Sequence, residues 1–357
     1  MARTYKNVAT QLIHYLGRIH DGMPPGPIEA ESAWKGADLA QSDAWRLQLT
    51  GPEVAEVRAA LQVARQSGKP MGKLTRRDFP LPTLGRSIEQ WREILTRGRG
   101  FVLISGLPVQ EWTTAESEMV FWCLGTYLGH RGAQNNAGEL LGHVRDITGN
   151  AASTDGTRLY KTSADIAYHC DAADVVGLLC LQQAPSGGQS RLVSSVSVFN
   201  ELLRRAPDLA PRLFEPFELD TVDEGVVAHF PVRPCAWHKG VLRTFYHSDY
   251  FRSVERHPDV TLTADQRALL DLYDEVAASP DLALTMDLRP GDMQFVSNHV
   301  VLHSRTAYVD ATDPARKRHL LRLWLSIEEP AGLVERGRKM ASSAALVRDV
   351  ARQKLGL

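Results

Sequence analysis

The chain has 357 residues, 43% hydrophobic and 23% charged, a balance that lets a globular protein bury a large core without disulfide staples. Lysine plus arginine total 41 against 42 acidic residues, a formal charge of -1, and aromatic residues make up only 7%. With no basic tract and few stacking side chains, this composition points away from a nucleic-acid binder. The four cysteines, Cys123, Cys170, Cys180 and Cys235, form no CxxC pair, which is the usage of a reduced intracellular protein. The opening run MARTYKNVATQLIHYLGRIHDG is interrupted by Lys6, His14, Arg18 and His20. It holds no apolar stretch long enough for a signal peptide or a membrane span, so a cytoplasmic location is expected.

In chain order, residues 21–35 are rich in proline and glycine and read as a surface loop. Thr50 and Glu53 have capping-box spacing, and Val54, Val57 and Leu61 form an apolar stripe behind them, which predicts a helix starting near Thr50. Three prolines break up residues 69–85. Helices are then predicted at 87–97 and 111–128, with GFVLISGLPV (100–109) as a buried strand between them. After about residue 140, short β-branched runs alternate with glycine and proline turns. A helix is predicted at 198–205, and a second capping-box pattern, Thr263 with Gln266, predicts another before ALLDLYDEVAA. The last third returns to strands: LALTMDL, MQFVSNHVVLHSRTAYV and RHLLRLWLSIEE. Helices first and many short strands later predict an α+β architecture, an antiparallel double-sheet barrel with helices outside it. The expected division is a helical extension over 1–95, a core over 96–330 and a terminal helix over 331–357. Residues 206–285 would be an insertion in that core, able to serve as a lid.

The chemistry starts at Tyr168-His169-Cys170-Asp171. Side chains alternate along a strand, so His169 and Asp171 point the same way, about 7 Å apart, and Cys170 points the other way as a packed core thiol. Two histidines and one carboxylate with open positions left over form the facial set of non-haem iron(II) oxygenases. An HxD triplet arises often by chance, and His247-Ser248-Asp249 repeats it. The first triplet is followed by an apolar strand and the Gly187-Gly188 turn; the second is followed by the charged run FRSVERHPD. A rigid wall suits the first.

The third ligand is expected from the strand after the Pro290-Gly291-Asp292 turn, on which Phe295, Ser297, His299, Val301, His303 and Arg305 would share one face. His299 and His303 have HxxxH spacing, but the zinc-protease motif needs a helix and a glutamate where this chain has Val300. His303 is therefore the expected ligand, with His299 a hydrogen-bonded core histidine. In ARKRHLLRLWLSI, alternation puts Arg318, Arg322 and Trp324 opposite an almost wholly apolar face of leucines. An inward arginine needs a carboxylate partner. Two arginines about 13 Å apart would need two separate acidic groups, one from a cosubstrate and one from a substrate; structural ion pairs within the protein are the alternative.

Jointly, these residues resemble the TauD/TfdA-like family of the clavaminate-synthase-like superfamily. The matching pieces are YHCD (168–171), GLLCLQQAPSGGQS (177–190), SSVSVFNELLRRAPDL (194–209), GDMQFVSNHVVLHSRTAY (291–308) and KRHLLRLWLS (317–326). DFPLP (78–82), GRGFVLISGLPV (98–109) and AQNNAGELLGHVRD (133–146) extend the match toward the amino terminus. The resemblance implies a double-stranded β-helix (a cupin-like jelly roll) and an iron(II), 2-oxoglutarate and O2 chemistry. It implies iron held by His169, Asp171 and His303. Arg318 is similar to the arginine that clamps the far carboxylate of 2-oxoglutarate. Where many members carry a threonine contacting 2-oxoglutarate, this chain has Val193, with Ser194 beside it. Arg322 is similar to an arginine that in some members holds an acidic group of the substrate. Tyr246, Gln134 and Asn135 are candidate pocket residues. Halogenating relatives lack the ligand carboxylate, so Asp171 implies hydroxylation, and Arg322 implies a small acidic substrate such as an amino acid or related carboxylic acid. Desaturation, epoxidation and ring formation would use the same residues. A non-catalytic iron/2-oxoglutarate sensor and a zinc hydrolase are the readings from other classes. A homo-oligomer is compatible with the sequence.

Overall fold

The computed structural model describes residues 20–135, 137–148, 161–221 and 228–327; the helix expected over 331–357 lies outside them. Two sheets organise these residues. The larger has seven strands, in the order Arg46–Gln48, Phe101–Ser105, Met293–Ser297, Val175–Gln182, His319–Ser326 and His130–Gly132, with Leu141–Val144 also pairing with His319–Ser326. The smaller runs Ala283–Met286, Ser190–Ser194, Val301–Arg305, Ile166–His169.

The alternation read from RHLLRLWLSI sorts side chains between two layers. Leu321, Leu323 and Leu325 face outward into a core with Val57 and Leu61, Ile88 and Trp91, and Phe121 and Leu124, from three helices at Gly51–Gln66, Leu84–Thr96 and Thr114–Leu128. Leu320 and Trp324 face inward, joining Phe101, Leu103, Val176 and Val296 of the large sheet with Leu192, Leu284 and Val301 of the small one. That second layer sits between the sheets. A third apolar cluster covers the back of the small sheet: Tyr168, Cys170, Val193 and Leu302 pack on Phe199, Tyr246, Phe251 and Tyr273. Most of that cluster comes from residues 206–285, which include two hairpins and the helix Ala264–Ala277. Their apolar side chains are thus spent on a core of their own.

Both expected capping boxes form, at Thr50/Glu53 and Thr263/Gln266. The helix at Leu84–Thr96 starts earlier than the predicted 87 because a carboxylate from the preceding helix caps it: Glu56 accepts from the backbone N–H groups of Thr83 and Leu84 at 2.8 and 2.7 Å. The helix predicted from 111 starts at Thr114, behind a capping box of Thr113 and Glu116. The single strand expected through Phe295 and His303 is two strands in different sheets, Met293–Ser297 and Val301–Arg305. The chain crosses between sheets at Asn298–Val300, which resets the alternation. Phe295 therefore faces the helices while Val301 faces the inter-sheet layer. The four cysteines are buried and none is in a disulfide. Among the described residues, no helix is long and apolar enough to cross a membrane.

Candidate metal centre

The strand Ile166–His169 pairs antiparallel with Val301–Arg305, and in that register His169 stands directly opposite His303. Their ring centroids are 4.3 Å apart. Asp171 lies two residues beyond the strand end, where the chain is pinned from both sides. The Cys170 N–H donates to the Tyr246 carbonyl at 2.8 Å, and the Asp171 N–H donates to Asn298 Oδ1 at 3.1 Å. Asn298 Nδ2 in turn donates to the Ala173 carbonyl at 2.9 Å. The result brings Asp171 Oδ1 to 3.9 Å from His169 Nε2 and Asp171 Oδ2 to 3.7 Å from His303 Nε2. One donor atom from each of the three lies within 4.8 Å of the others, the spacing of ligands around one ion.

The electrostatics suit a cation. His169 Nδ1 lies 2.9 Å from the Ala167 carbonyl. With Nδ1 turned to that carbonyl, Nε2 is the nitrogen that faces Asp171. Burial, then the neighbouring His169, push His303 down to about 3 against the pull of Asp171, so its imidazole is neutral and able to ligate. Burial works to raise Asp171, but Arg322, His303 and His169 outweigh it and hold the carboxyl at about 2. Trp324 Nε1 donates to Asp171 Oδ2 at 2.9 Å, fixing the carboxylate from the large sheet. The three side chains retain 14%, 11% and 14% exposure, so a small molecule can reach them.

The two arginines lie opposite the leucine face, as alternation predicts, and the structure turns that face inward, leaving both nearly buried. Arg322 Nε donates to Gln134 Oε1 at 2.7 Å, and Gln134 Nε2 returns a bond to the Arg322 carbonyl at 2.9 Å. This clasp holds Arg322 Nη1 at 3.9 Å from Asp171 Oδ2, beside the metal ligands. Arg318 lies over the Tyr308 ring and reaches the Gly188 carbonyl at 3.5 Å. Gly188 has φ of +73°, and a Cβ there would stand 2.9 Å from Arg318 Nε, so the glycine turn is what admits the guanidinium. A cleft of about 540 Å³ reaches Arg318 between Arg145, Gln182, Lys317 and His319, but none of the three metal-facing residues lines it.

Three of the sequence-derived candidates are engaged elsewhere. Ser194 caps the helix Ser195–Arg205, accepting from the Ser197 N–H at 3.0 Å and donating to the Ser32 carbonyl. Tyr246 is fully buried behind the small sheet, where it stacks on Tyr273 and donates to Asp274 Oδ1 at 2.7 Å. Asn135 folds into its own turn, bonding Glu139 Oε2 at 2.6 Å and the Ala137 N–H at 3.1 Å. His299 bonds Asp174 Oδ1 at 2.8 Å, as a core histidine at the crossing between sheets. The second triplet begins a short helix, Ser248–Arg252, yet its histidine comes close: the rings of His247 and His169 are 5.1 Å apart. Sequence reasoning gave no metal-site role to Asn298 or Trp324. The alternation of Trp324 is the available signal for one; the other reads from sequence only as a turn or pocket residue.

The model of the family described as taurine catabolism dioxygenase TauD, TfdA family, matches residues 65–324. The chain belongs to this family. The TauD/TfdA protein described here is 31% identical over 313 residues to FR-33289 synthase of Streptomyces rubellomurinus, covering 85% of this chain and 91% of that one. It is 28% identical over 319 residues to taurine hydroxylase-like protein SAT17 of Stachybotrys chartarum, covering 84% and 79%. Its fold is that of asparagine oxygenase, solved with Fe(II), 2S,3S-3-hydroxyasparagine and succinate, at a TM-score of 0.63 and 18% identity over 79% of this chain and 93% of that one. The non-haem iron oxygenase OrfP, solved with Fe and alpha-ketoglutaric acid, aligns at a TM-score of 0.58 and 16% identity, over 84% and 98%. As a TauD/TfdA member the chain is a non-haem iron, 2-oxoglutarate-dependent oxygenase. Its own residues fit those cofactors: two imidazoles and an ionised carboxylate for iron(II), and, for a dicarboxylate, a nearly buried arginine whose Nη1 has no acceptor among the described residues.

Proposed function

We propose that this oxygenase hydroxylates an unactivated C–H bond of a small acidic substrate, an amino acid or related carboxylic acid. The two facing sheets serve as the walls of a double-stranded β-helix with the reaction between them. His169, Asp171 and His303 hold iron(II), and Arg318 holds the far carboxylate of 2-oxoglutarate. Bound together, iron and 2-oxoglutarate supply an oxidant from O2, with release of succinate and CO2.

The observation that carries the substrate class is Arg322. It is nearly buried, oriented by Gln134, and points its guanidinium along the metal-ligand carboxylate. A substrate carboxylate paired with it would sit beside the iron, with its adjacent carbons presented to the oxidant. Arg322 thus orients the substrate, Gln134 keeps Arg322 from swinging, and Trp324 keeps Asp171 from rotating away. Hydroxylated amino acids bound in solved structures of similar fold support an amino-acid substrate: 2S,3S-3-hydroxyasparagine in asparagine oxygenase and (3S)-hydroxy-L-Arg in OrfP. The carboxylate ligand favours hydroxylation over halogenation.

The test is Arg322→Met. Substrate-coupled succinate formation should fall about 10- to 100-fold, the worth of a charged hydrogen bond, while uncoupled 2-oxoglutarate decay persists. Equal loss of both would refute the assignment. A screen of amino and carboxylic acids for O2-dependent succinate release then identifies the substrate.

A further inference from the structure

Arg305 lies on the same strand as His303, two residues further on, and is only 6% exposed; Arg318, on the facing sheet, is 5% exposed. Tyr308 stands against both guanidinium groups, its ring centroid 4.8 Å from the Arg305 carbon and 5.0 Å from that of Arg318. Two buried cations this near one another need a counter-charge. Among the described residues no carboxylate forms an ion pair with either, although the charge of Asp310 reaches Arg318 and Tyr308. Arg305 donates from Nη2 to the Ala164 carbonyl, but its Nε and Nη1 meet no acceptor. Arg318 Nη1 and the Tyr308 hydroxyl are likewise buried without a partner. The acids whose charge reaches Arg305 are already engaged, Asp165 by Arg191 at 2.8 Å and Asp146 by Thr148 at 2.6 Å.

We propose that Arg305 is a second anchor for the cosubstrate: Arg305, Arg318 and the Tyr308 hydroxyl together form one cradle for the terminal carboxylate of 2-oxoglutarate. A carboxylate offers about four lone-pair sites, more than a single guanidinium edge can fill. The atoms left over on Arg305, Arg318 and Tyr308 are N–H and O–H donors, which suits an anion. The inference rests on the assignment of Arg318 made above and adds a residue to it. The cradle explains why a guanidinium, whose donors form a fixed fork, stands at 305 where a lysine would give a point charge.

The test is binding, without turnover. 2-Oxoglutarate is titrated into the iron(II)-loaded enzyme under anaerobic conditions, and the visible absorption of the iron–keto-acid chelate is followed. 2-Oxobutyrate, which has the same keto-acid head and no terminal carboxylate, is the control. Arg305→Met and Arg305→Lys should each weaken 2-oxoglutarate about 10- to 100-fold and leave 2-oxobutyrate within about twofold. Should Arg305→Met fail to fold, Arg305→Lys carries the test, since it keeps the charge and loses the fork. Unchanged 2-oxoglutarate affinity, or equal weakening of both keto acids, overturns the proposal. Arg318→Met separates the two claims. If it weakens 2-oxoglutarate while the Arg305 variants do not, the Arg318 assignment stands and the cradle falls. If it leaves 2-oxoglutarate unchanged, both fall.

Discussion

The chain contains the pattern His-x-Asp three times, at 169–171, 247–249 and 257–259, and the first two copies behave differently. In His169-Cys170-Asp171 the backbone leaves a strand, so the first and third side chains face one way and meet His303 from the neighbouring strand. In His247-Ser248-Asp249 the backbone enters a helix. There Ser248 Oγ donates to Asp274 Oδ2 at 2.6 Å, and Asp249 is left exposed. Spacing is therefore informative only together with the backbone period that turns it into direction. Even so, the second copy is not remote, because residues 247 and 169 are joined by an isolated bridge and their rings lie close.

The sharpest way to break this comparison is to remove each aspartate in turn. Asp171→Ala should reduce iron-dependent succinate formation to background, whereas Asp249→Ala should leave iron binding and turnover within about twofold of the parent, as expected of an exposed site. Activity lost at Asp249 would make the second triplet part of the chemistry. Next in size is Trp324→Phe, which removes the bond that fixes Asp171. Iron affinity should fall about 10- to 100-fold with the fold intact by circular dichroism, and an unchanged affinity would mean that the carboxylate orients itself. Smaller again is Asn298→Ala. Asn298 is fully buried and ties Asp171 and Ala173 to the crossing between sheets. Denaturant unfolding should show a loss of roughly 1–3 kcal/mol, the cost of stranding a buried hydrogen-bonding group.

What was legible in the sequence follows the range of the interaction. Capping boxes at Thr50 and Thr263 span three residues, and both were readable. That Arg318 and Arg322 share a face opposite the leucines follows from strand alternation, and so does the packing of Cys170 away from the ligands; which way the arginine face points is set by the second sheet. The early start of the Leu84 helix was hidden, because its cap is Glu56 on another helix. The break after Ser297 was hidden too: an apolar, β-branched run reads as one strand, and only pairing with two different sheets divides it. Ser194, Tyr246 and Asn135 were drawn toward the pocket by position alone, while a helix cap, a core stack and a turn held them elsewhere. Asn298 anchors a residue 127 positions away, at a distance no local pattern reaches.

The Gly188 turn has a practical consequence. Because the guanidinium of Arg318 occupies the space a methyl group would need, an added carbon at this position would have to displace that side chain. On the role proposed for Arg318, such a protein would keep its three metal-facing residues and lose its grip on the co-reactant.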